Sequence, residues 1–323
     1  MKSKYQSMTM TILVLGAGGL GGFFGGRLMQ GGADVTFLVR PKRRDQIAKD
    51  GLVIESPSGN ARLQAKTVLA ADLEPGYDWI LFTCKAYDLD SAMDAIAPAM
   101  DGKAAVLPVL NGLAHFEKLD ARFGAAQVLG GTAHINAMLR NDGVIVNGDP
   151  LNRILFGERD RSKSARTQAI ADAFAKTTVE WKHSDDIEQD LWEKVTFLTT
   201  LASMTCLFRA NVGEIMSAPG GREAVERAFN ANIEIATRSG HPPRQAHIDN
   251  VRKRLVDPKG TWTASMLRDL EAGGPTEGDH IVGWMLERAR RHGVDDTMLS
   301  VAFTHLKAYE ARRAAGRIGR ETG

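Results

Sequence analysis

Cysteine is all but missing from this 323-residue chain: Cys84 and Cys206 are its only thiols, far apart in sequence. Two such residues build no disulfide framework and offer no zinc-ligand spacing, so no metal site is expected and a reducing cytoplasm is the expected setting. An excess of one charge is missing too. Lys and Arg total 41 against 39 Asp and Glu, a formal net charge of +2, so nothing global draws the chain to nucleic acid or to an anionic membrane. The locally basic tail from Arg312 to Arg320 reads as a frayed, solvated terminus. No window approaches the ~20 apolar residues of a membrane span. Lys2 and Lys4 ahead of an apolar stretch imitate the start of a signal peptide, but glycines interrupt that stretch and it reads better as a strand. Neither internal repeats nor low-complexity tracts occur, and the length suits two domains, each able to bury a core.

What is present begins with Thr11-Ile-Leu-Val-Leu-Gly-Ala-Gly-Gly-Leu-Gly21. Residues 11–15 form the apolar, β-branched run of a buried parallel strand, and the glycines start where the run stops. Gly16 permits a tight turn, Gly18 lets backbone amides approach a pyrophosphate, and Gly21 lets the next helix pack closely on the sheet. Ala17, Gly19 and Leu20 complete the loop, whose helix N-terminus would face the anion. Alone, such a glycine pattern is weak, and the run from Gly18 to Gly26 reads also as a flexible turn. Strand, glycines, helix and second strand in this order favour a dinucleotide site.

An acid is missing where an NAD site usually has one. At the end of the second strand, where Asp or Glu would accept hydrogen bonds from the ribose 2′-hydroxyl, the chain reads Arg40-Pro-Lys-Arg-Arg44. A guanidinium pairs with a 2′-phosphate in forked geometry, so the expected cofactor is NADP(H), with Arg40 as main contact and Lys42, Arg43 or Arg44 as helpers. A solvated basic loop is the plainer alternative.

Hydropathy patterning predicts strands at residues 11–15, 35–39, 51–55, 66–69, 79–84, 104–110, 127–130 and 144–147. Helices are predicted at 19–31, 43–49, 89–100, 113–122 and 162–176, the last preceding a strand at 179–181. From about residue 187 the β signal ends, and helices are predicted at 187–208, 221–239, 244–256, 264–271, 276–292 and 296–314. The fold class is therefore α/β: an N-terminal Rossmann-type doubly wound sheet over residues 1–185 and an all-α C-terminal domain over 186–323, with the boundary at His183-Ser-Asp-Asp186. Gly240 and Gly293 sit just past helix ends, Pro275 suits a first helical position, and Ser265 suits an N-cap.

Ligands of open α/β sheets bind beyond the carboxyl ends of the strands, where Lys85 follows one predicted strand and Asn111 another. Lys85 can donate to a substrate carboxylate or a cofactor hydroxyl, and Asn111 offers donor and acceptor near a nicotinamide. Each reads equally well as a surface cation and a turn residue. In the helical half, Lys194, Leu198, Leu201 and Ala202 share one face, so a lysine heads an apolar stripe. Desolvation there would lower the ammonium pKa from about 10.4 and make it a better proton donor near neutrality. Snorkelling over the core is the alternative. Glu277 and Asp279 stand where they would complement the dipole of a first helical turn.

Taken in order, the segments GAGGLG, CKAY, LNG, WEK, ASM and PTEGD resemble the ketopantoate reductase (2-dehydropantoate 2-reductase) family over roughly Met10 to Tyr309. The resemblance implies NADPH-dependent reduction of a 2-oxo acid, with Lys194 as the general acid and Glu277 as the carboxylate that binds a substrate hydroxyl. It implies that Ser265 holds the substrate carboxylate and that Lys85 and Asn111 serve cofactor and substrate, Glu277 also lying at the cofactor. It departs at two positions: the family's asparagines four and eight residues beyond the lysine are here Leu198 and Ala202. Each lost buried hydrogen bond is worth about 1 kcal/mol net, so a hydroxylated substrate should be weakened. Thr199, Thr200 and Ser203 point off the lysine's line. Three readings follow: reduction of ketopantoate; reduction of a more apolar 2-oxo acid, ketone or imine; and an NADPH sensor without turnover. The expected partner is a small 2-oxo acid, with a homodimer compatible and neither nucleic acid nor membrane involved.

Overall fold

The computed structural model describes residues 10–318, so Lys2, Lys4 and the last residues of the basic tail lie outside the described residues. The chain divides into two compact units, one of residues up to Leu110 with Phe116–Ile187, the other of Asn111–His115 with the residues from Glu188 onward.

The first unit carries two five-stranded sheets. Its parallel sheet is built from β1 (Thr11–Leu15), β2 (Asp34–Leu38), β5 (Lys66–Val68), β6 (Trp79–Phe82) and β7 (Ala105–Pro108), in the order β5-β2-β1-β6-β7. The chain adds β2 on one side of β1 and later crosses to β6 on the other, which makes the β1/β6 edge the topological switch point. These strands are nearly continuous apolar runs because both faces are covered.

The second sheet is mixed. It holds β3 (Leu52–Glu55), β4 (Ala61–Leu63), β8 (Gly130–Leu139), β9 (Val144–Gly157) and β10 (Glu180–His183). β9 pairs in parallel with β3 at its start and with β10 at its end, and β8 runs antiparallel along it. Helix α1 (Gly19–Gln30) lies between the two sheets. A Cβ at Gly25 would lie 2.6 Å from Phe37 of the parallel sheet, and one at Gly22 would lie 2.3 Å from Ile145 of the mixed sheet. The glycine run is thus a helix with two bare faces against two sheets, not a flexible turn.

Helices α2 (Pro41–Asp50), α3 (Leu89–Ile96), α4 (His115–Phe123) and α5 (Ala165–Phe174) complete the α/β part. The second unit is helical: α6 (Ile187–Phe208), α7 (Val212–Ser217), α8 (Gly221–Arg238), α9 (Gln245–Leu255), α10 (Ser265–Glu271), a π-helical turn at Asp279–Gly283, α11 (Trp284–His292) and α12 (Thr297–Ala314). Among the described residues no helix is long and apolar enough to cross a membrane.

Several expectations need correction. The strand expected at 127–130 is a 3₁₀ turn, Ala125–Gln127, followed by a single bridge at Val128. The strand expected at 144–147 runs on to Gly157, and β4, β8 and α7 were not anticipated. Ser265 is not an N-cap: Ala264 holds that place without a side-chain bond, and Ser265 opens the helix proper. Pro275 lies outside the helix it was expected to start, because regular structure begins only at Gly278. Gly240 and Gly293 do adopt positive φ just past their helices.

Candidate active site

In the first unit, Gly16 leaves β1 with φ +84, a conformation that suits glycine. A Cβ at Gly21 would fall 2.2 Å from the Gly16 carbonyl oxygen and 2.4 Å from Thr83 Oγ1, so this position admits no side chain. Thr83 itself donates to the Leu15 carbonyl at 2.6 Å and locks the turn against β6. Gly18 is the N-cap of α1 and supplies no capping side chain, while a Cβ there would meet nothing within 4 Å. Open space therefore borders the N-cap of α1, whose first turn has amides without an intrahelical partner, an arrangement suited to a pyrophosphate.

Arg40 directly follows the sheet edge as N-cap of α2, with its side chain 80% exposed and a 3.4 Å contact to Asp88. The expected helpers Arg43 and Arg44 are engaged elsewhere. Arg43 donates to the Ala17 carbonyl at 2.9 Å, to Gln46 and to the Gly143 carbonyl, bracing the glycine loop, and Arg44 pairs with Asp45. Lys85 is half-buried three residues past β6, at the N-cap of the 3₁₀ turn that contains Asp88. Arg40 and Lys85 thus follow β2 and β6, the two strands that flank β1, and are linked through Asp88.

The second unit assembles the other residues around α6. Lys194 donates from Nζ to Asn111 Oδ1 at 3.3 Å. Burial pulls its ammonium from 10.5 down to about 8, with the Glu277 carboxylate opposing the fall. Glu277 is 4% exposed and lies just ahead of the π-helical turn. Sequence reasoning missed the pair that ties these segments together. His115, four residues after Asn111, stacks on His280, three residues after Glu277, with ring centroids 5.4 Å apart and His115 Nδ1 3.2 Å from His280 Nε2. Gly112, at φ +78, passes so close that a Cβ would meet His280 Cδ2 at 2.9 Å. The only sequence hint was spacing, since both histidines fall one helical turn beyond a polar residue already singled out. Ser265 opens α10 in this same unit.

On α6, Leu198 is half-buried, Leu201 is 7% exposed and Ala202 is fully buried. The face of Lys194 is therefore apolar for two turns beyond the amine. Of the neighbouring hydroxyls, Thr196 and Thr200 donate back to the Glu193 and Thr196 carbonyls, and Thr199 and Ser203 are fully buried. One turn of α6 is pinned from outside. Arg244 grips the buried carboxylates of Glu193 and Asp190 at 2.7 and 2.6 Å.

The sequence signature described as "Ketopantoate reductase PanE/ApbA" matches residues 12–161, and "Ketopantoate reductase PanE/ApbA C terminal" matches residues 186–310. An uncharacterized oxidoreductase, YkpB of Bacillus subtilis (strain 168), is 35% identical over 94% of this chain and 100% of its own length. The crystal structure of 2-dehydropantoate 2-reductase from Geobacter metallireducens GS-15 superposes with TM-score 0.84 at 26% identity, covering 93% of this chain and 99% of that one. The ternary structure of D-mandelate dehydrogenase with NADH and anilino(oxo)acetate also has TM-score 0.84, at 21% identity, covering 94% and 100%, and shares the fold.

Proposed function

Because the chain belongs to the ketopantoate reductase family, we propose that it reduces the carbonyl of a 2-oxo acid with NADPH, 2-dehydropantoate being the first substrate to test. The observation that carries this reading is the Lys194 amine, lowered to about 8 and held by Asn111 beside Glu277. Bound NADPH supplies the hydride. The chain's own residues do the rest: Lys194 gives the proton to the carbonyl oxygen and stabilises the developing alkoxide, and Asn111 orients the amine. Glu277 keeps the amine cationic and reads a substrate hydroxyl, while Ser265 holds the carboxylate. Gly16, Ala17, Gly18, Gly19, Leu20 and Gly21 cradle the pyrophosphate, and Lys85 contacts the cofactor.

The choice of NADPH rests on Arg40. The same fold holds NADH in D-mandelate dehydrogenase, so the preference falls to this chain's residues, and an exposed guanidinium with only a 3.4 Å carboxylate neighbour is well disposed to a 2′-phosphate. Arg40→Ala is expected to raise KM for NADPH about tenfold or more while leaving KM for NADH within about twofold. An unchanged NADPH-to-NADH ratio would remove Arg40 from the site.

The apolar face beyond Lys194 favours a second reading, in which the substrate is a different, more apolar 2-oxo acid, ketone or imine. A sensor without turnover has no use for a desolvated lysine. An NADPH-oxidation assay with 2-dehydropantoate, aryl and branched 2-oxo acids, ketones and imines separates all three: turnover of 2-dehydropantoate supports the first, turnover only of others the second, and tight cofactor binding without oxidation the third.

A further inference from the structure

The segment that carries Glu277 has no regular structure of its own, since residues 274–277 belong to neither helix nor strand. Its partner within the second unit is α12. Thr276 donates from Oγ1 to Glu310 Oε1 at 2.7 Å, and Lys307 reaches Glu310 at 2.7 Å and Asp279 at 2.9 Å. The side chain before Glu277 and the one two residues after it are thereby tied to a single helix. The Tyr309 hydroxyl adds a bond to the Gly274 carbonyl at 2.8 Å, and a Cβ at Gly278 would lie 3.1 Å from Leu306, so the segment presses directly on α12.

These contacts are unequal. Lys307 and Asp279 are 45% and 67% exposed, and an ion pair so open to solvent is worth little. Thr276 is 7% exposed, and its hydroxyl also accepts from the Gly278 amide at 3.4 Å, so one buried group joins the residues on either side of Glu277 and fastens both to Glu310. The carboxylate between them is the group that opposes the fall of the Lys194 amine, and its influence on that charge depends on where it is held.

We infer that α12 positions Glu277 against the Lys194 amine through the Thr276–Glu310 bond. Thr276 and Glu310 are positioning residues, acting through Glu277 and not on substrate. This rests on the reading of Lys194 and Glu277 as the working groups of a reductase, so one readout needs no turnover. Thr276→Val removes the hydroxyl, Glu310→Ala removes its acceptor, and Thr276→Ser keeps the bond. A loosened Glu277 supports the ammonium less, so in the first two variants the alkaline limb of kcat, followed with the best substrate of the NADPH-oxidation assay, is expected to move to lower pH by about half a unit or more. KM for NADPH should stay within about twofold, because the cofactor contacts are untouched. Thr276→Ser should behave as the native chain. Trace labelling of the free chain with acetic anhydride across pH, read by peptide mass spectrometry, titrates Lys194 without substrate and should show the same fall. A Lys194 titration unmoved in both Thr276→Val and Glu310→Ala overturns the inference, as does Thr276→Ser displaced as far as Thr276→Val. A displaced titration in a chain that reduces no carbonyl compound with NADPH would uphold the clamp and sink the reductase reading.

Discussion

Lys194→Ala is expected to lower kcat by about 10²-fold or more while cofactor affinity stays within about twofold. Three features of its surroundings make the loss large. The amine is held by Asn111, its charge is opposed by burial and supported by Glu277, and its pKa near 8 keeps it protonated at neutrality yet willing to release the proton. An alanine removes donor and charge together, and water that enters in its place is a far weaker acid. Lys194→Arg separates the two contributions, since a guanidinium keeps the charge but does not release a proton near neutral pH. If proton transfer matters, the arginine variant should stay close to the alanine one; recovery to near-native kcat would mean that charge alone suffices.

Arg244→Ala should destabilise the fold by about 1 kcal/mol, because it removes the cation that compensates two largely buried carboxylates, the loss being limited by the solvent that reaches the half-exposed guanidinium. Glu193 is 6% exposed and Asp190 8%, while Arg244 gives Glu193 two side-chain bonds, at 2.7 Å each, and one backbone bond. Burial pushes the Glu193 carboxyl up, but the bonds from Arg244, with His247 nearby, hold it below its ordinary 4.5. A depressed folded pKa means stability that is present above the unfolded value and lost as the pH falls through the folded one. Urea unfolding should therefore show the deficit of Arg244→Ala in full at pH 7 and a narrowing gap below about pH 4. Equal stability at pH 7 would show that the pair contributes nothing. The pair also sets the turn of α6 that carries Lys194, so a fall in kcat larger than the loss of folded protein would reveal a positioning role.

Much of this arrangement is legible in the residues themselves. The glycine turn, the helical second half and the bounds of α6 at 187 and 208 follow from local patterns, because each such element satisfies its own backbone and declares its buried face by period. The mixed sheet does not. The strand predicted at 144–147 stops short of Gly148-Asp149-Pro150, yet β9 continues past it, its pairing with β8 resuming at Asn152 and that with β10 beginning at Arg153. β8 opens with four successive buried residues, so no period-two pattern marks it, and the register shift at Asn136 sets residues 148–151 of β9 outside the pairing. Helix α7 carries its own local signal, since Asn211 and Glu214 form a reciprocal capping box.

The site divides in the same way. Lys194, Asn111 and Glu277 are recognisable from motif and order, whereas the contacts that hold them depend on residues far apart in sequence. His115 and His280 are 165 residues apart, and no local pattern announces that they stack. The departure at Leu198 and Ala202 is visible in the sequence, and the structure adds that the Thr196 and Thr200 hydroxyls are spent on α6's own carbonyls.

The pH dependence of kcat at saturating NADPH and substrate tests the central claim most directly. A protonated Lys194 as donor predicts a rate that is level near neutrality and falls about tenfold per unit above a pKa near 8. That limb should vanish in Lys194→Ala. A native rate that stays flat or rises through pH 9 would contradict the account.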